Sequence, residues 1–262
     1  MSDIPAKPTD LSVEPKVIAA GYTGTGTNSI AKALDTLLDG PVLHGGNALY
    51  GREDEYARQW YRVLRLRKDK AKLLKLLREV TVGYVALTDV PAALFIPELL
   101  ELYPDAKVVL VDRDTEKWWN SVELITKSAS YPSWALRILL WPCFTWRWIP
   151  FWSREMASFI KEQHGKDVGK ELKSKHNALV RASVPKKALL EMQITDGWAP
   201  LCSFLKKPVP SQPFPDEDDA EVVDAAAKNI FSMAITTWLM YIFGYGIGVV
   251  GLLYWLWTQG KI

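Results

Sequence analysis

The sequence has few of the residues on which several common kinds of protein depend. Its 262 residues include only two cysteines, Cys143 and Cys202, which are far apart. This argues against a disulfide framework and against a cysteine-based zinc site, and it suits a reducing compartment. Lysine and arginine total 32 against 30 acidic residues, so the net charge does not indicate a nucleic-acid-binding protein. Any anion-binding site must therefore come from the local placement of residues.

Other sequence signals are missing as well. No His/Cys/Asp cluster has metal-ligand spacing, and no G-x-S-x-G motif is present, so neither a metal site nor a serine hydrolase is indicated. The N-terminus from Met1 to Lys16 is polar and contains prolines, without the apolar stretch of a secretory signal. We expect residues 1–15 to be flexible and the folded part to face the cytosol.

The C-terminus is different in composition. No charged residue occurs from Asn229 to Gly260, and the run from Ile230 to Thr258 is almost wholly apolar. This run exceeds the roughly 20 residues that a helix needs to cross a bilayer. A buried core helix is the alternative, but core helices are seldom this long and free of charge. We predict that residues 229–258 form a single-pass membrane anchor at the tail of the chain, which makes the lipid bilayer a partner.

Two glycines of this segment have the spacing that lets membrane helices approach closely. Gly244 and Gly248 lie four residues apart, in a small-xxx-small pattern. A homodimer through Gly244 and Gly248 is one expectation. The other is that they fit a kinked or lipid-packed helix.

Between the two ends, short apolar runs alternate with helical patterns. Strands are predicted at 17–20, 82–87, 108–111 and 189–194, and helices within 53–80 and at 92–102, 115–127 and 198–205. Strands separated by helices favour a parallel sheet with helices on both faces. The predicted fold class is α/β, with a central parallel sheet flanked by helices over residues 16–220 and a C-terminal transmembrane helix after it.

A loop rich in glycine and hydroxyl groups follows the first predicted strand. It runs from Gly21 to Ser29 and precedes a helical pattern, which is how a chain builds a cradle for phosphate. The glycine order is not the Rossmann fingerprint. The spacing of Gly21 and Gly26 matches a Walker A loop, but Thr27 stands where that motif needs lysine. ATP hydrolysis is therefore disfavoured.

A second pair of polar residues follows the strand at 108–111. Arg113 and Ser121 are eight residues apart, so a turn and a helix after the strand would let both reach one second anion. Ligands of such sheets bind beyond the carboxyl ends of the strands, where Asp89 also falls. The alternative for Arg113 is a surface ion pair with a neighbouring acidic residue. Those neighbours are Asp112, Asp114 and Glu116.

The order of several motifs resembles that of a known family. They are the Gly21–Ser29 loop, His44, Asp89–Phe95, Tyr103–Val109, Arg113–Asp114 with Trp118 and Ser121, His176–Val180, Gly197–Cys202, Pro208–Pro210 and Pro213–Pro215. In this order the chain resembles sulfotransferases that use 3′-phosphoadenosine 5′-phosphosulfate (PAPS), most closely the sulfotransferase-like proteins common in fungi. The resemblance implies a sulfotransferase-like P-loop fold and PAPS as co-substrate, with no metal.

The resemblance also implies roles for individual residues. The loop that wraps the 5′-phosphosulfate in related enzymes corresponds here to Thr25, Gly26, Thr27, Asn28 and Ser29. The arginine and serine that hold the 3′-phosphate correspond to Arg113 and Ser121. A guanidinium grips phosphate with permanent charge and two parallel hydrogen bonds, and a serine adds a neutral donor.

Sulfuryl transfer to a hydroxyl also needs a base that removes the acceptor proton. Asp89, at a strand end, is the first candidate. His44 is the second, because histidine titrates near neutrality, although a single histidine after a strand is about as often a structural hydrogen-bonding residue. His176 lies on a helical segment beside Asn177 and is given a structural role.

The chain departs from the family at two places. Family members carry arginine at the position of Gly24, and the better-known sulfotransferases carry lysine, which stabilises charge on the bridging oxygen and leaving phosphate. Loss of such a donor typically costs about 10² to 10³ in rate. The second departure is the run of four carboxylates at Asp216–Asp219. Either these point to solvent or the site no longer takes PAPS.

One further segment, Tyr131–Trp152, is rich in tryptophan and interrupted by prolines, so it cannot be one regular helix. Residues 131–152 are predicted to form a lid or membrane-contact insertion on the acceptor side, with burial of the tryptophans in the core as the alternative.

The sequence as a whole predicts an anchored enzyme that transfers a sulfuryl group from PAPS to a hydroxyl of a hydrophobic small molecule of polyketide or terpenoid type. The alternatives are a cyclisation, elimination or isomerisation of an apolar metabolite, and a non-catalytic membrane scaffold.

Overall fold

Five short parallel strands form the centre of the computed structural model, which describes residues 8–51, 54–128, 133–144, 146–165, 169–217 and 219–259. The strands are β1 (Val17–Ala19), β2 (Val42–His44), β3 (Ala86–Thr88), β4 (Lys107–Val111) and β5 (Leu189–Met192). The first helices are α1 (Thr27–Leu37), α2 (Gly45–Gly51), α3 (Asp54–Arg65), α4 (Lys70–Thr81), α5 (Ile96–Leu102) and α6 (Thr115–Ser128). The later helices are α7 (Ser133–Leu140), α8 (Ile149–His164), α9 (Glu171–Ser183), α10 (Trp198–Leu205) and α11 (Asp219–Thr258).

The strand order is β2-β3-β1-β4-β5, and every pair is parallel. In the central strand, Ile18 lies opposite Leu87 on one side and Val108 on the other. The chain passes from one side of β1 to the other between β3 and β4, so the loops after β1 and β4 meet at a switch point of the sheet. Such a point is where ligands bind in α/β folds. The predicted α/β class with a parallel sheet is confirmed.

Helices cover both faces of the sheet, which explains why the strands are largely apolar. Ile18 packs into one core together with residues of α3, α4, α5 and α8. Val17 and Ala19 point to the opposite face and pack with residues of α1 and α10. This alternation along β1 is the period of two that a strand requires.

Some element boundaries differ from the prediction. The strand expected at 82–87 is shorter and later, because Val82 ends α4 through a hydrogen bond from its backbone N–H to the Arg78 carbonyl (3.0 Å). Gly83 then turns the chain with φ +91°. The helix expected at 92–102 begins as a 3₁₀ turn over Ala92–Phe95 before α5.

The segment before β1 contacts the folded domain. The Val13 carbonyl accepts a hydrogen bond from the Gly83 backbone N–H (2.7 Å), and Glu14 forms an ion pair with Arg78. Residues 8–14 therefore contact the last turn of α4 and the turn that follows it. The first seven residues of the predicted flexible N-terminus lie outside the described part of the chain.

The last helix, α11, is 40 residues long and begins well before its apolar part. Ile230 and Ala234 are buried against residues that follow α6 in the chain, namely Leu140, Cys143 and Trp146. Trp238 Nε1 donates a hydrogen bond to the Leu139 carbonyl (3.1 Å). Within the described helices, Ala227–Thr258 is the one stretch long and apolar enough to cross a membrane by length and composition.

Candidate anion-binding site

The loop between β1 and α1 is closed by its own hydrogen bonds. The Thr25 hydroxyl donates to the Tyr22 carbonyl (2.8 Å), and the Thr25 backbone N–H donates to the same oxygen (3.1 Å). Gly26 precedes α1 in a left-handed conformation with φ 97°, and the helical ladder starts with the Ile30 N–H on the Gly26 carbonyl (3.1 Å). The positive end of α1 therefore lies at the carboxyl end of β1, an arrangement that favours an anion.

Two glycines of the loop are required by close contacts. A Cβ at Gly26 would lie 2.4 Å from Ile194 Cγ1, and a Cβ at Gly21 would lie 2.6 Å from Thr25 Oγ1. Ile194, just after β5, thus packs directly on the backbone of the loop. The glycines of the motif serve the packing of the loop as well as its conformation.

Gly24 is also held by its surroundings. Its φ is +84°, and a Cβ there would lie 2.6 Å from Val122 Cγ1 and 3.5 Å from Trp118 Cδ1. An arginine or lysine at this position would need Val122 on α6 to move, in addition to the strained backbone. The packing of α6 on the loop therefore fits glycine at position 24 and opposes an arginine or lysine side chain there.

Arg113 and Ser121 meet at the same loop. Arg113 Nη1 lies 3.0 Å from the Gly24 carbonyl oxygen and 3.2 Å from Ser121 Oγ, and it donates to both. The Ser121 hydroxyl also reaches the Lys117 carbonyl (3.1 Å). The structure thus brings the loop after β1 and the pair after β4 together, with the guanidinium between them.

The acidic neighbours of Arg113 have other partners. Asp114 caps the start of α6 by accepting the backbone N–H groups of Glu116 (3.1 Å) and Lys117 (3.0 Å). The Glu116 carboxylate pairs with Lys170 (2.5 Å). The surface ion pair considered for Arg113 is therefore not the contact that its guanidinium makes.

Lys173 on α9 fixes the backbone at Arg113, a role that the sequence did not suggest. Its side chain is buried, with Nζ 2.5 Å from Asp112 Oδ1 and in hydrogen-bond contact with the Arg113 carbonyl. Burial alone would raise the Asp112 pKa, but the hydrogen bonds from Lys173 and the Arg113 N–H outweigh it and lower that pKa below its usual value. No sequence signal separates Lys173 from Lys175, the other lysine of the same helix.

Asp89, the first candidate base, is buried beside the loop. Its Oδ1 accepts the Thr23 hydroxyl (2.5 Å) and its Oδ2 accepts the Gly46 backbone N–H (2.9 Å). Its backbone has φ 68°, which is rare for a residue with a side chain and is often found at functional sites. Burial raises the pKa of the Tyr22 phenol in the same loop, and the charge of Asp89 raises it further.

His44, the second candidate, is the last residue of β2 and lies next to Asp89. Its Nδ1 accepts the Asn47 backbone N–H (3.2 Å), so the neutral ring carries its proton on Nε2, 3.2 Å from Thr27 Oγ1. Nδ1 is 3.7 Å from Asp89 Oδ2. Both candidate bases therefore line the side of the loop away from Arg113, and His44 holds the first residue of α1.

His176 lies behind the loop. Its Nε2 is 2.7 Å from the Ala20 carbonyl, to which it donates, and its ring packs edge-on against Tyr22 with centroids 5.4 Å apart. Burial lowers the His176 pKa to about 4, so the ring is neutral at physiological pH. The neutral ring therefore has a structural role, because it donates a hydrogen bond to the Ala20 carbonyl just after β1.

The acidic segment contacts the start of α1. The Glu217 backbone N–H donates to Ser29 Oγ (2.9 Å), and the Glu217 carboxylate forms an ion pair with Lys32. Asp216 is exposed, and the side chains of Asp218 and Asp219 lie outside the described residues. The Glu217 carboxylate is therefore paired with Lys32, while its backbone N–H contacts Ser29, one of the predicted loop residues.

No metal-binding group was found in the described ranges. None of their His, Cys, Asp and Glu residues form a set of three or more that could hold a metal ion.

Two comparisons with known proteins find similarity over most of the chain. A family model described as a sulfotransferase domain matches residues 16–223. A protein of Aspergillus versicolor named "Ava biosynthesis cluster protein M" is 33% identical over 216 residues, which cover 76% of this chain and 79% of that protein. The family match includes the loop, Arg113 and Ser121, and it ends just before the apolar stretch of α11.

Proposed function

The chain belongs to the sulfotransferase domain family, and we propose that it transfers a sulfuryl group from PAPS to a hydroxyl of a hydrophobic small molecule while α11 holds it to a membrane. The catalytic domain would face the cytosol. The name of the relative, a biosynthesis cluster protein, supports a small-molecule acceptor. We propose an acceptor of polyketide or terpenoid type.

The observation that carries this proposal is the position of the Arg113 guanidinium. It bridges Ser121 and the carbonyl of Gly24, so two anion-binding features lie next to each other at the switch point of the sheet. A nucleotide with phosphate at both ends of its ribose needs two such features. Arg113 and Ser121 would hold the 3′-phosphate, and the loop residues Thr25–Ser29 would hold the 5′ end.

When bound, PAPS supplies the sulfuryl group, and the chain supplies orientation and a base. Each Asp89 oxygen accepts one hydrogen bond in the structure and retains a second lone pair for a proton. His44 is less suited, because its Nδ1 already accepts an N–H and its Nε2 carries the proton toward Thr27. We therefore assign the acceptor proton to Asp89 and a positioning role to His44.

One specific observation favours a second candidate, a superfamily member that no longer sulfates. The left-handed backbone of Gly24 and its contact with Val122 leave no room for the cation that the family uses in sulfuryl transfer. The cleft would then serve another reaction of an apolar metabolite, such as a cyclisation, elimination or isomerisation. A non-catalytic scaffold is less well supported, because such a protein would have no use for two buried titratable residues, Asp89 and His44, beside the loop.

Nucleotide binding is tested by calorimetry of the full chain in mild detergent with 3′-phosphoadenosine 5′-phosphate. Arg113→Ala should weaken binding by about 1.5 to 3 kcal/mol, the value of a charged hydrogen bond, and Ser121→Ala by about 0.5 to 1.5 kcal/mol. Arg65→Ala on α3, which removes the same charge from a helix without site residues, should leave binding unchanged. Absence of binding by the unmodified chain would exclude the PAPS proposal.

The two candidate reactions are separated by restoring the family cation. Gly24→Arg alone should destabilise the fold, whereas Gly24→Arg with Val122→Ala makes room for the side chain. If the chemistry is sulfuryl transfer, incorporation of labelled sulfate into a lipid extract should rise up to about 10² to 10³-fold over the Val122→Ala control. A double variant that folds and binds nucleotide but transfers no sulfate would favour the second candidate.

A further inference from the structure

Four large apolar side chains of α7 and the turn after it lie on the protein surface. Trp134, Ile138, Trp141 and Phe144 are exposed by 66%, 57%, 70% and 70%, and together they are called the α7 patch. Trp134 and Ile138 share one face of α7, and Trp141 continues the i, i+4, i+7 spacing in the turn just after it. Single exposed apolar residues are common, but a patch of large ones marks a contact surface.

The other face of α7 is packed against α11. Leu140 and Cys143 are buried together with Ile230 and Ala234 of that helix. The hydrogen bond from Trp238 to the Leu139 carbonyl closes this contact at 3.1 Å. The α7 patch is thus held at a fixed place along α11.

The length of α11 indicates the level in the bilayer at which α7 contacts it. The apolar stretch of 32 residues from Ala227 to Thr258 is longer than needed, because about 20 residues at 1.5 Å each cross a hydrocarbon core of about 30 Å. Contact with the folded domain ends at Trp238, and the described side chains beyond it are exposed apart from half-buried Leu256. Residues 239–258 number about 20, so they suffice to span the core. The junction with α7 then lies at the near edge of that core.

The polar groups around the patch suit the same level of a bilayer. The Arg147 guanidinium lies over the Phe144 ring at 5.0 Å, and the Arg137 guanidinium lies over the Phe151 ring at 4.5 Å. Arginine and tryptophan side chains combine an apolar body with a polar end, as the headgroup region requires.

We infer that the α7 patch lies in the headgroup region of the bilayer that α11 spans, so that the domain contacts lipid at two places. This inference rests on the membrane anchoring proposed above. The buried contact between α7 and α11 holds the patch at the level where the exposed apolar part of α11 begins, and this position selects lipid as its partner.

The test uses the full chain, loaded singly into phosphatidylcholine nanodiscs, and a charged maleimide that does not enter lipid. Four single variants are compared: Ile138→Cys and Trp141→Cys in the patch, Ile247→Cys within the span, and Lys187→Cys on the exposed turn before β5. The native cysteines are buried and serve as the background. Apolar surroundings raise a thiol pKa, and each unit cuts the reactive thiolate about tenfold.

We expect positions 138, 141 and 247 to react at least about tenfold more slowly than position 187. Fast labelling at 138 and 141 with slow labelling at 247 would overturn the inference and leave the membrane span intact. Fast labelling at 247 as well would overturn both. If 138 and 141 are protected only in discs that hold two chains, the patch contacts a second copy, and the lipid assignment is wrong.

Discussion

The two ends of this chain use apolar residues in opposite ways. Around the loop after β1 they point inward, and Ile194 and Val122 press on glycine backbone where no side chain fits. In α11 beyond Trp238 they point outward, and the described side chains there make almost no contact with the folded domain. The first region is determined by packing at close range. The second is distinguished by its length and composition, which are sufficient for a helix to cross a membrane.

The largest effect is expected when a side chain is added to a closely packed glycine of the loop after β1. Gly26→Ala should lower the free energy of unfolding by about 2 to 5 kcal/mol, because it adds left-handed strain to a clash with Ile194. Gly165→Ala is the matched control, since Gly165 has φ +73° and no neighbour within 4 Å, so it reports strain alone. Urea unfolding of the full chain in detergent measures both. Equal losses would show that Ile194 does not press on the loop.

Acid should weaken the packed region and spare the apolar helix. The His176 pKa falls from 6.5 to about 4 on folding, so the unfolded chain binds more protons between these values. The stability from neutral His176 is complete above pH 6.5 and is lost as the pH falls to about 4, a change of about 3 kcal/mol. His176→Gln keeps a donor for the Ala20 carbonyl and should flatten this part of the pH profile.

Urea midpoints between pH 7 and pH 4 check this, with the variant subtracted from the unmodified chain. Burial and the nearby Lys175 charge also lower the His164 pKa, so some acid sensitivity remains in both proteins. An unchanged slope in His176→Gln would contradict the assignment.

The same contrast can be tested in α11 with a charge. Val249→Lys places a lysine near the middle of residues 239–258 and should reduce membrane insertion by about 2.5 to 3.5 kcal/mol. Val209→Lys, at an exposed position before α11, should change nothing. Resistance to carbonate extraction is the measurement. If Val249→Lys stays fully membrane-bound, α11 does not cross the bilayer.

The junction between the two regions gives the smallest effect. Trp238→Phe removes the donor to the Leu139 carbonyl and should cost about 0.5 to 1.5 kcal/mol. Amide hydrogen exchange in α7 should then quicken by up to about tenfold, while the rest of the domain keeps its rates. Trp257→Phe, at the far end of α11, should leave α7 exchange unchanged, so faster exchange in both variants would argue against a specific contact.

Much of the fold could be predicted because its signals are local. Apolar runs and helical periods located β1, β4, α6 and α10 closely, and their alternation indicated the parallel sheet. The strand near residue 85 was harder, since the turn at Gly83 separates Val82 from β3. Helix α11 begins at Asp219, ten residues before the predicted anchor at 229–258, because that prediction relies on the absence of charge rather than on helical pattern.

The candidate site divides in the same way. Its loop and the Arg113 and Ser121 pair are predicted from residue types at strand ends, and the structure brings these residues together. The contact of Val122 with Gly24 was not predictable, because it depends on how α6 settles on a loop almost 100 residues earlier in the chain. The role of Lys173 was not predictable for a similar reason, since only the fold brings its ammonium group to the Arg113 carbonyl.

The hydrogen bond between Glu217 and Ser29 ends only two residues before α11 begins. Because this connection is so short, the first turn of α1 and a membrane-inserted α11 would move together. The domain would then stay close to the lipid surface. An acceptor dissolved in that lipid would then arrive by lateral diffusion in two dimensions, at a local concentration set by its partition into the leaflet rather than by its solubility in water.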